Sequence, residues 1–346
     1  MTNKTILYEQ HLALKGNMVE YAGYLLPVNY PQGIIKEHLK VRNDVGMFDV
    51  SHMGELLVKG NGALKFLEKT MTNNISRLKN KRIRYSPFCN DNGGIIDDLL
   101  IYCFSEFEYL LVVNAANKDK DFKFLKNRVL DCEVIDLSNE YAQIAIQGPN
   151  SEKVLKKLLP LPEKYFSFIE DNDLIISKTG YTGELGYEVY GPPSSILDLW
   201  IKLLDLGVEP CGLGCRDTLR FEAGMPLYGN ELSEEICPNE VGLDFAIDYE
   251  KEFTGKKIML ELDNPSILIG LEMLDRGIAR HGYEVYYQDQ KIGVITSGTL
   301  SPSLNKPLAN ALVLKSMANY DEYYVEIRKE KVKAKKITLP IYERKR

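Results

Sequence analysis

Tryptophan occurs once, at Trp200, and histidine only four times in 346 residues. None of His11, His38, His52 and His281 stands at ligand spacing beside a cysteine. The six cysteines form no CxxC pair, and Cys211 and Cys215 are four apart. This pattern argues against a structural zinc site. No apolar run reaches the roughly 18 residues of a membrane span. The net charge is -6, so no basic balance points to nucleic acid. The N-terminus has no apolar signal core and no arginine-rich presequence. A soluble cytoplasmic protein with reduced thiols is the expectation.

Several short motifs are incomplete. Asp49, Ser51 and His52 lie close together, but triad members meet in space from separate elements, and no GxSxG elbow is present. His52 is expected to be a half-buried packing or loop residue. Gly212-x-Gly214 lacks the rest of a dinucleotide fingerprint, and Phe253–Lys257 lacks the upstream glycine of a P-loop. The basic runs Arg77–Arg84, Arg328–Lys336 and Arg344–Arg346 read first as solvated faces. They are also candidate surfaces for an acidic partner.

What is present is a globular composition, 45% hydrophobic and 27% charged, with a length that suits two or three domains. One stretch stands out, Cys89 to Cys103. Asn92-Gly93-Gly94 supplies a tight turn, and Ile95 to Tyr102 has the β-branched, apolar character of a buried strand. With Arg82 to Phe88 it predicts a hairpin. Asp97 and Asp98 interrupt the strand and must point to opposite faces. One of them faces apolar cover, where a carboxylate is costly unless it is paired or binds something. Tyr109 to Val113 predicts a second buried strand, ending at Asn114, an amide that both donates and accepts.

Helices are expected over 33–44, 63–72 and 119–129, the last capped by Asn117. The pattern restarts at Tyr141, with a strand over 142–147 and a helix over 151–158. A hairpin follows, with its second arm at Gly186–Tyr190. There Glu188 shares a face with Gly186 and Tyr190, which leaves room for a flat ligand over the backbone; the alternative is an edge strand with an outward Glu. Helices follow at 194–206, holding Trp200, and at 215–223. Arg216 lies in the first turn of the second, where the helix dipole disfavours a cation, so an anionic partner is implied. Beyond Pro265 short strands at regular spacing predict a small barrel or Greek key. Ser297–Ser303 reads as a polar loop between them.

Together these stretches resemble one family over nearly the whole chain, the aminomethyltransferase or T-protein of the glycine cleavage system. The resemblance is carried by Phe48–Glu55, Asn92–Leu99, Val113–Asn117, Gly180–Glu188, Gly214–Gly224, Leu227–Asn230, Ile292–Gly298 and Ser301–Ser303. It implies an α+β fold of the T-protein type, a three-domain cloverleaf of two α/β units plus a C-terminal β-rich barrel. A discontinuous folate-binding domain would comprise 1–53 and 138–264. An inserted domain would comprise 54–137, and the barrel 265–346. The implied reaction moves the aminomethyl carbon from the lipoyl arm of H-protein to the co-substrate tetrahydrofolate, with no metal. Ammonia, methylenetetrahydrofolate and the dihydrolipoyl arm are the products.

The resemblance places the catalytic role on Asp98 and the reading of the pteridine edge on Glu188, and it puts Arg216 in the folate site. Tyr85, Asn114, Met53 and Tyr181 match positions lining the pteridine and its linker. Tyr342, Arg344 or Arg346 would supply a C-terminal contact. The residue types suit the task. A carboxylate accepts two hydrogen bonds from a pterin's donor edge, Arg216 can fork onto an acceptor, and Asp98 can stabilise a developing cation. The implied partners are lipoylated H-protein and folate, with no nucleic acid and no membrane. The alternatives are a folate-dependent demethylase and a non-enzymatic iron–sulfur assembly or regulatory protein. The second requires a cysteine motif from which Ile236–Gly242 departs.

Overall fold

A computed structural model describes residues 2–262 and 265–344. The chain divides into two compact units. The first takes Met1–Lys69, Asn73–Ser86 and Asp98–Leu219; the second takes Thr70–Thr72, Pro87–Asp97 and Arg220–Arg346.

The first unit opens with β1 (Asn3–Lys4), α1 (Tyr8–Ala13), β2 (Asn17–Tyr21) and β3 (Tyr24–Asn29). Next come α2 (Ile34–Asn43), β4 (Gly46–Asp49), β5 (Gly54–Lys59) and α3 (Ala63–Thr70). The hairpin β6 (Ile83–Cys89) and β7 (Ile95–Ser105) leads to β8 (Glu108–Val113), α4 (Lys118–Lys126) and β9 (Glu133–Asp136). Then follow β10 (Ala142–Gln147), α5 (Ser151–Leu155), β11 (Phe168–Asp171), β12 (Leu174–Ser177) and β13 (Gly186–Gly191). α6 (Pro193–Asp205), β14 (Glu209–Pro210) and α7 (Leu213–Glu222) follow. The first three strands pair in the order β1-β3-β2. A five-stranded sheet runs β6-β7-β8-β5-β9, and a six-stranded one β11-β12-β13-β10-β4-β14.

Alternation along the six-stranded sheet builds two layers of cover. Met47, Ile144, Ile146, Tyr187 and Val189 pack with Ile196, Leu199, Trp200 and Leu203 of α6. The opposite face of β13 carries Glu188 and Tyr190. There Tyr190, Ile175 and Phe168 pack with Tyr102, Leu110 and Val112 of the five-stranded sheet. The first unit is thus a helix, a sheet and a second sheet in layers, and the interlayer between the sheets holds both apolar and polar side chains.

In the second unit, α8 (Lys256–Glu261) precedes β15 (Ser266–Met273), β16 (Glu284–Tyr287) and β17 (Gln290–Ser301). β18 (Lys306–Leu314), β19 (Glu322–Ile327) and β20 (Glu330–Ile337) complete a closed barrel in the order β15-β18-β17-β16-β19-β20. Closure leaves no edge strand. Ser297–Ser301 belongs to β17 rather than to a loop. Ser297, Ser301 and Ser303 are held by buried partners: Arg220 donates to Ser297 Oγ at 2.9 Å, and Glu222 accepts from Ser301 Oγ at 2.5 Å and Ser303 Oγ at 2.7 Å. Polar composition there reflects a buried network, not solvent.

The hairpin turn also belongs to this unit. Asn90 N–H donates to Gly94 O at 2.8 Å, and Gly93 has φ of 87°. A Cβ on Gly94 would stand 1.8 Å from the Glu234 carbonyl oxygen, so only glycine fits. Among the described residues no helix is long and apolar enough to cross a membrane.

Candidate functional site

Asp98 and Asn114 meet because β7 and β8 are antiparallel, with Leu100 opposite Val112. Asn114 donates from Nδ2 to Asp98 Oδ1 at 2.8 Å and to the Asp98 carbonyl at 3.2 Å. The Tyr85 hydroxyl donates to Asp98 Oδ2 at 3.0 Å. Both carboxylate oxygens therefore accept, and the side chain is fixed while half-buried. Tyr85 is itself anchored, its carbonyl accepting from Asn73 Nδ2 at 2.9 Å. Asp97, on the opposite face of the strand, is fully buried. The neighbouring carboxylates thus split into one enclosed and one accessible group.

Asp98, Leu100 and Tyr102 share one face of β7, as Leu110, Val112 and Asn114 share one face of β8. That face meets the six-stranded sheet. Opposite lies Glu188, 6% exposed. The register sets Ser177 directly across from Glu188 and Gln143 across from Tyr190. Thr179 Oγ1 donates to Glu188 Oε2 at 2.5 Å, and Gln143 Nε2 donates to Oε1 at 3.3 Å. Gln143 Oε1 is buried without a hydrogen-bond partner. Burial pushes the Glu188 carboxyl above its ordinary value, while the Thr179 hydroxyl and the Arg216 charge pull it down.

Arg216 is the fourth residue of α7, and its guanidinium stands 4.7 Å from the centre of the Tyr181 ring. The Arg216 charge pulls the Glu188 carboxyl downward against the effect of burial. Met53 packs against both the Phe48–Ala145 and the Tyr102–Tyr190 clusters, at the join of the layers. The structure thus gathers Asp98, Asn114, Tyr85, Met53, Glu188, Arg216 and Tyr181 in the first unit. Tyr342 and Arg344 belong to the second, where Tyr342 N–H donates to the Glu222 carbonyl at 2.8 Å. Arg346 lies outside the described residues.

Several expectations need correction. β13 lies between β12 and β10, so Glu188 is not on an edge strand. The space beside Gly186 is not open to a ligand. The Gln147 side chain fills it, with Nε2 2.2 Å from where a Cβ would stand. That glycine serves close packing, and it is the carboxylate two residues on that faces the interlayer. His52 is buried, not half-buried, between Tyr21 and Tyr24, with Nδ1 lacking a partner. Burial and the Arg216 charge push its pKa down to about 4, so it stays neutral. Asp49 engages His11 instead, Oδ2 to Nε2 2.9 Å, with Thr5 donating at 2.6 Å.

The basic run 77–84 is only partly a solvated face. Arg77 and Lys79 are exposed, but Arg84 donates to the Asn74 carbonyl at 2.6 Å and Lys81 pairs with Glu170. Along β20, Lys331, Lys333 and Lys335 are neutralised by Asp289, Glu322 and Glu272.

Among the described residues, Glu37, Cys211 and Cys215 converge as three potential metal ligands. Glu37 already accepts from the N–H groups of Tyr30 at 2.6 Å and Gly212 at 2.9 Å. Burial holds the Cys215 thiol well above its ordinary value. The residues that sequence reasoning passed over are Gln143, Ser177 and Thr179. Their signal was the pairing register, which a single chain does not print.

A layered α/β unit with a fixed, half-buried carboxylate and a buried one on the facing sheet, followed by a closed six-stranded barrel, defines an α+β protein of the T-protein architecture. Residues 7–251 match the model of the GCVT N-terminal domain, and residues 267–343 that of the glycine cleavage T-protein C-terminal barrel domain. The chain belongs to the glycine cleavage T-protein family. It is 44% identical to proteins named aminomethyltransferase from Thermoanaerobacter pseudethanolicus and from a Geobacillus species. Those alignments cover 99% of this chain and 98% and 100% of the relatives. The crystal structure of glycine cleavage system aminomethyltransferase T from Bartonella henselae superposes with a TM-score of 0.95 at 34% identity, over 99% of each chain.

Proposed function

We propose that the chain catalyses transfer of the one-carbon unit from the aminomethyl-lipoyl arm of H-protein to tetrahydrofolate, releasing ammonia and the dihydrolipoyl arm. Family membership implies folate use and an H-protein partner. The observation that carries the reading is Asp98. It is held through both oxygens by Tyr85 and Asn114, on the β7 face that also bears Tyr102 and meets the Glu188 sheet.

The chain's residues fit a pterin. Its 2-amino group and ring N–H are donors, and the sheet opposite Asp98 offers two acceptors, the Glu188 carboxylate and the partnerless Gln143 Oε1. Arg216 over Tyr181 adds a cation and an aromatic face. Met53 lines the join between layers. Tyr342 is retained as the C-terminal contact. Bound tetrahydrofolate supplies the nucleophilic nitrogen. Asp98 stabilises positive charge developing on the transferred carbon and orients the attacking group, without a covalent link to the protein.

Within this reading the folate-binding domain is 1–53 with 138–264, the inserted domain 54–137 and the barrel 265–346. A cytoplasmic setting is supported by six free cysteines. The test supplies aminomethylated H-protein and tetrahydrofolate and follows ammonia and methylenetetrahydrofolate. Product that depends on both supports the proposal. Turnover of a free methylated amine without H-protein would replace it with a demethylase, and folate binding with neither activity would leave a binding role.

A further inference from the structure

Glu188 stands at the end of a chain of hydroxyl groups. Tyr190 and Tyr102 hydroxyl oxygens are 2.8 Å apart, and Tyr102 Oη lies 3.1 Å from Ser177 Oγ. Ser177 Oγ is 2.6 Å from Thr179 Oγ1, which is 2.5 Å from Glu188 Oε2. All five residues are buried. Three of them, Ser177, Glu188 and Tyr190, lie on one face of the six-stranded sheet, Thr179 follows β12 by two residues, and Tyr102 comes from the sheet that carries Asp98.

Each hydroxyl has one proton, so a charged end fixes every direction. An ionised carboxylate only accepts, hence Thr179 donates to Glu188. The Thr179 oxygen then accepts from Ser177, and Ser177 accepts from Tyr102. The competing contact, Ser177 Oγ to the Glu188 carbonyl, is longer at 3.3 Å. The chain from Tyr102 through Ser177 and Thr179 to Glu188 therefore runs one way, with Tyr190 standing against both Tyr102 and the Glu188 carboxylate, and each link polarises the next. Gln143 holds the other carboxylate oxygen at 3.3 Å. The shorter bond decides the rotamer.

Resting on the folate reading above, we propose that Thr179 is the positioning residue for ligand recognition: it fixes the Glu188 carboxylate, ionised and oriented, to receive the 2-amino group of the pterin. Thr179 touches the carboxylate rather than the ligand. Its removal leaves Glu188 in place but releases the chain that aims it.

The experiment measures Kd and KM for tetrahydrofolate and for its 2-desamino-2-methyl analogue, which lacks the 2-amino donor and keeps the ring N–H. Thr179→Val keeps the shape and deletes the hydroxyl. The expected result is a loss of roughly tenfold or more in tetrahydrofolate affinity, the scale of a hydrogen bond to a charged group. Affinity for the analogue falls several-fold less, because only its ring N–H still reaches Glu188 and the 2-amino hydrogen bond is already absent. KM for tetrahydrofolate rises with Kd while kcat holds, and Thr179→Ser restores both. Ser177→Ala, one link upstream, gives a smaller loss with the same selectivity and serves if Thr179→Val does not fold. Equal losses for both ligands, or no loss for either, would overturn the assignment of Thr179 while wild-type binding upholds the folate site. Failure of wild-type protein to bind tetrahydrofolate would overturn the folate reading and this inference with it.

Discussion

Asp98→Asn separates charge from shape at the site. The new amide keeps a partner at each contact: its oxygen accepts from Asn114 Nδ2, now 2.8 Å from Oδ1, and its NH2 meets the Tyr85 oxygen, now 3.0 Å from Oδ2. The cost to folding is the difference between charge-assisted and neutral hydrogen bonds, about 1 kcal/mol. In a unit of this size that is a melting shift of roughly 2–4 °C. The cost to catalysis is larger. A full charge about 4 Å from a developing cation, at an effective dielectric constant of about 20, contributes about 4 kcal/mol. Asp98 is half-buried, so solvent screens part of this, and about 3 kcal/mol is the expected loss. At about 1.4 kcal/mol per decade, kcat falls roughly 100-fold. The assay is methylenetetrahydrofolate formation from aminomethylated H-protein under saturating folate, beside a direct measurement of folate Kd. Kd should hold within about threefold, because the charge acts on the reacting carbon. Turnover within threefold of wild type, in protein that folds normally, would refute the electrostatic role.

The turn at Gly94 is predicted to tolerate no side chain. Gly94→Ala, which puts a Cβ 1.8 Å from the Glu234 carbonyl, should lose roughly 3 kcal/mol or fail to fold. Gly282→Ala, with φ of 83° and open space, should lose about 1 kcal/mol in the same urea titration. His52 has its pKa depressed in the folded state from 6.5 to about 4. The unfolded chain therefore binds the extra proton between those values, and the stability His52 contributes is lost as pH falls through that window. From pH 7 to pH 5 the loss is about 2 kcal/mol, and His52→Phe, which keeps a ring between Tyr21 and Tyr24, should lose that much less. Parallel denaturation curves for the two proteins at both pH values would contradict this. If the run 77–84 receives an acidic H-protein, Arg77→Glu with Lys79→Glu should raise KM for H-protein several-fold at low salt and much less at high salt. Lys81→Glu is expected to act on stability instead, since it would face Glu170.

The elements that chain periodicity controls were legible. The helix expected over 33–44 is α2 at Ile34–Asn43, and the strand over 109–113 is β8 with one residue added. The hairpin turn was legible because it needs the positive φ of Gly93 and the missing side chain of Gly94. β18 was missed: Lys306–Leu314 contains a proline and three small residues and gains its strand from two barrel neighbours rather than from propensity. Ser297–Ser301 misled for a related reason. Serine marks loops when water satisfies it, but here Arg220 and Glu222 do so from within the unit. Two adjacent carboxylates in an apolar strand must diverge, which marked the pair, and the family resemblance picked Asp98 from the two. The polar cover of Glu188 could not be singled out, because Ser177, Thr179, Gln143 and Tyr102 converge only through pairing across three strands and one sheet interface.

The two carboxylates differ in how they are held, and that difference matches different tasks. Asp98 is half-buried and takes its hydrogen bonds from a phenol and an amide on its own sheet. It can present its carboxylate to a reacting centre in a fixed direction. Glu188 is enclosed, and burial alone would favour its neutral form. A neutral carboxyl would offer a donor and one acceptor and could not receive two N–H groups. The Thr179 hydroxyl and the Arg216 charge oppose that tendency. The enclosed group therefore depends on its neighbours for its charge, whereas the half-buried one depends on them for its direction. Substitutions around Glu188 should then alter ligand binding first, and those around Asp98 should alter turnover first. Tyr85→Phe tests the second half. It frees one oxygen of Asp98 at little cost to folding, so kcat should fall several-fold while the tetrahydrofolate Kd moves less. A fall in affinity with turnover intact would reverse the assignment.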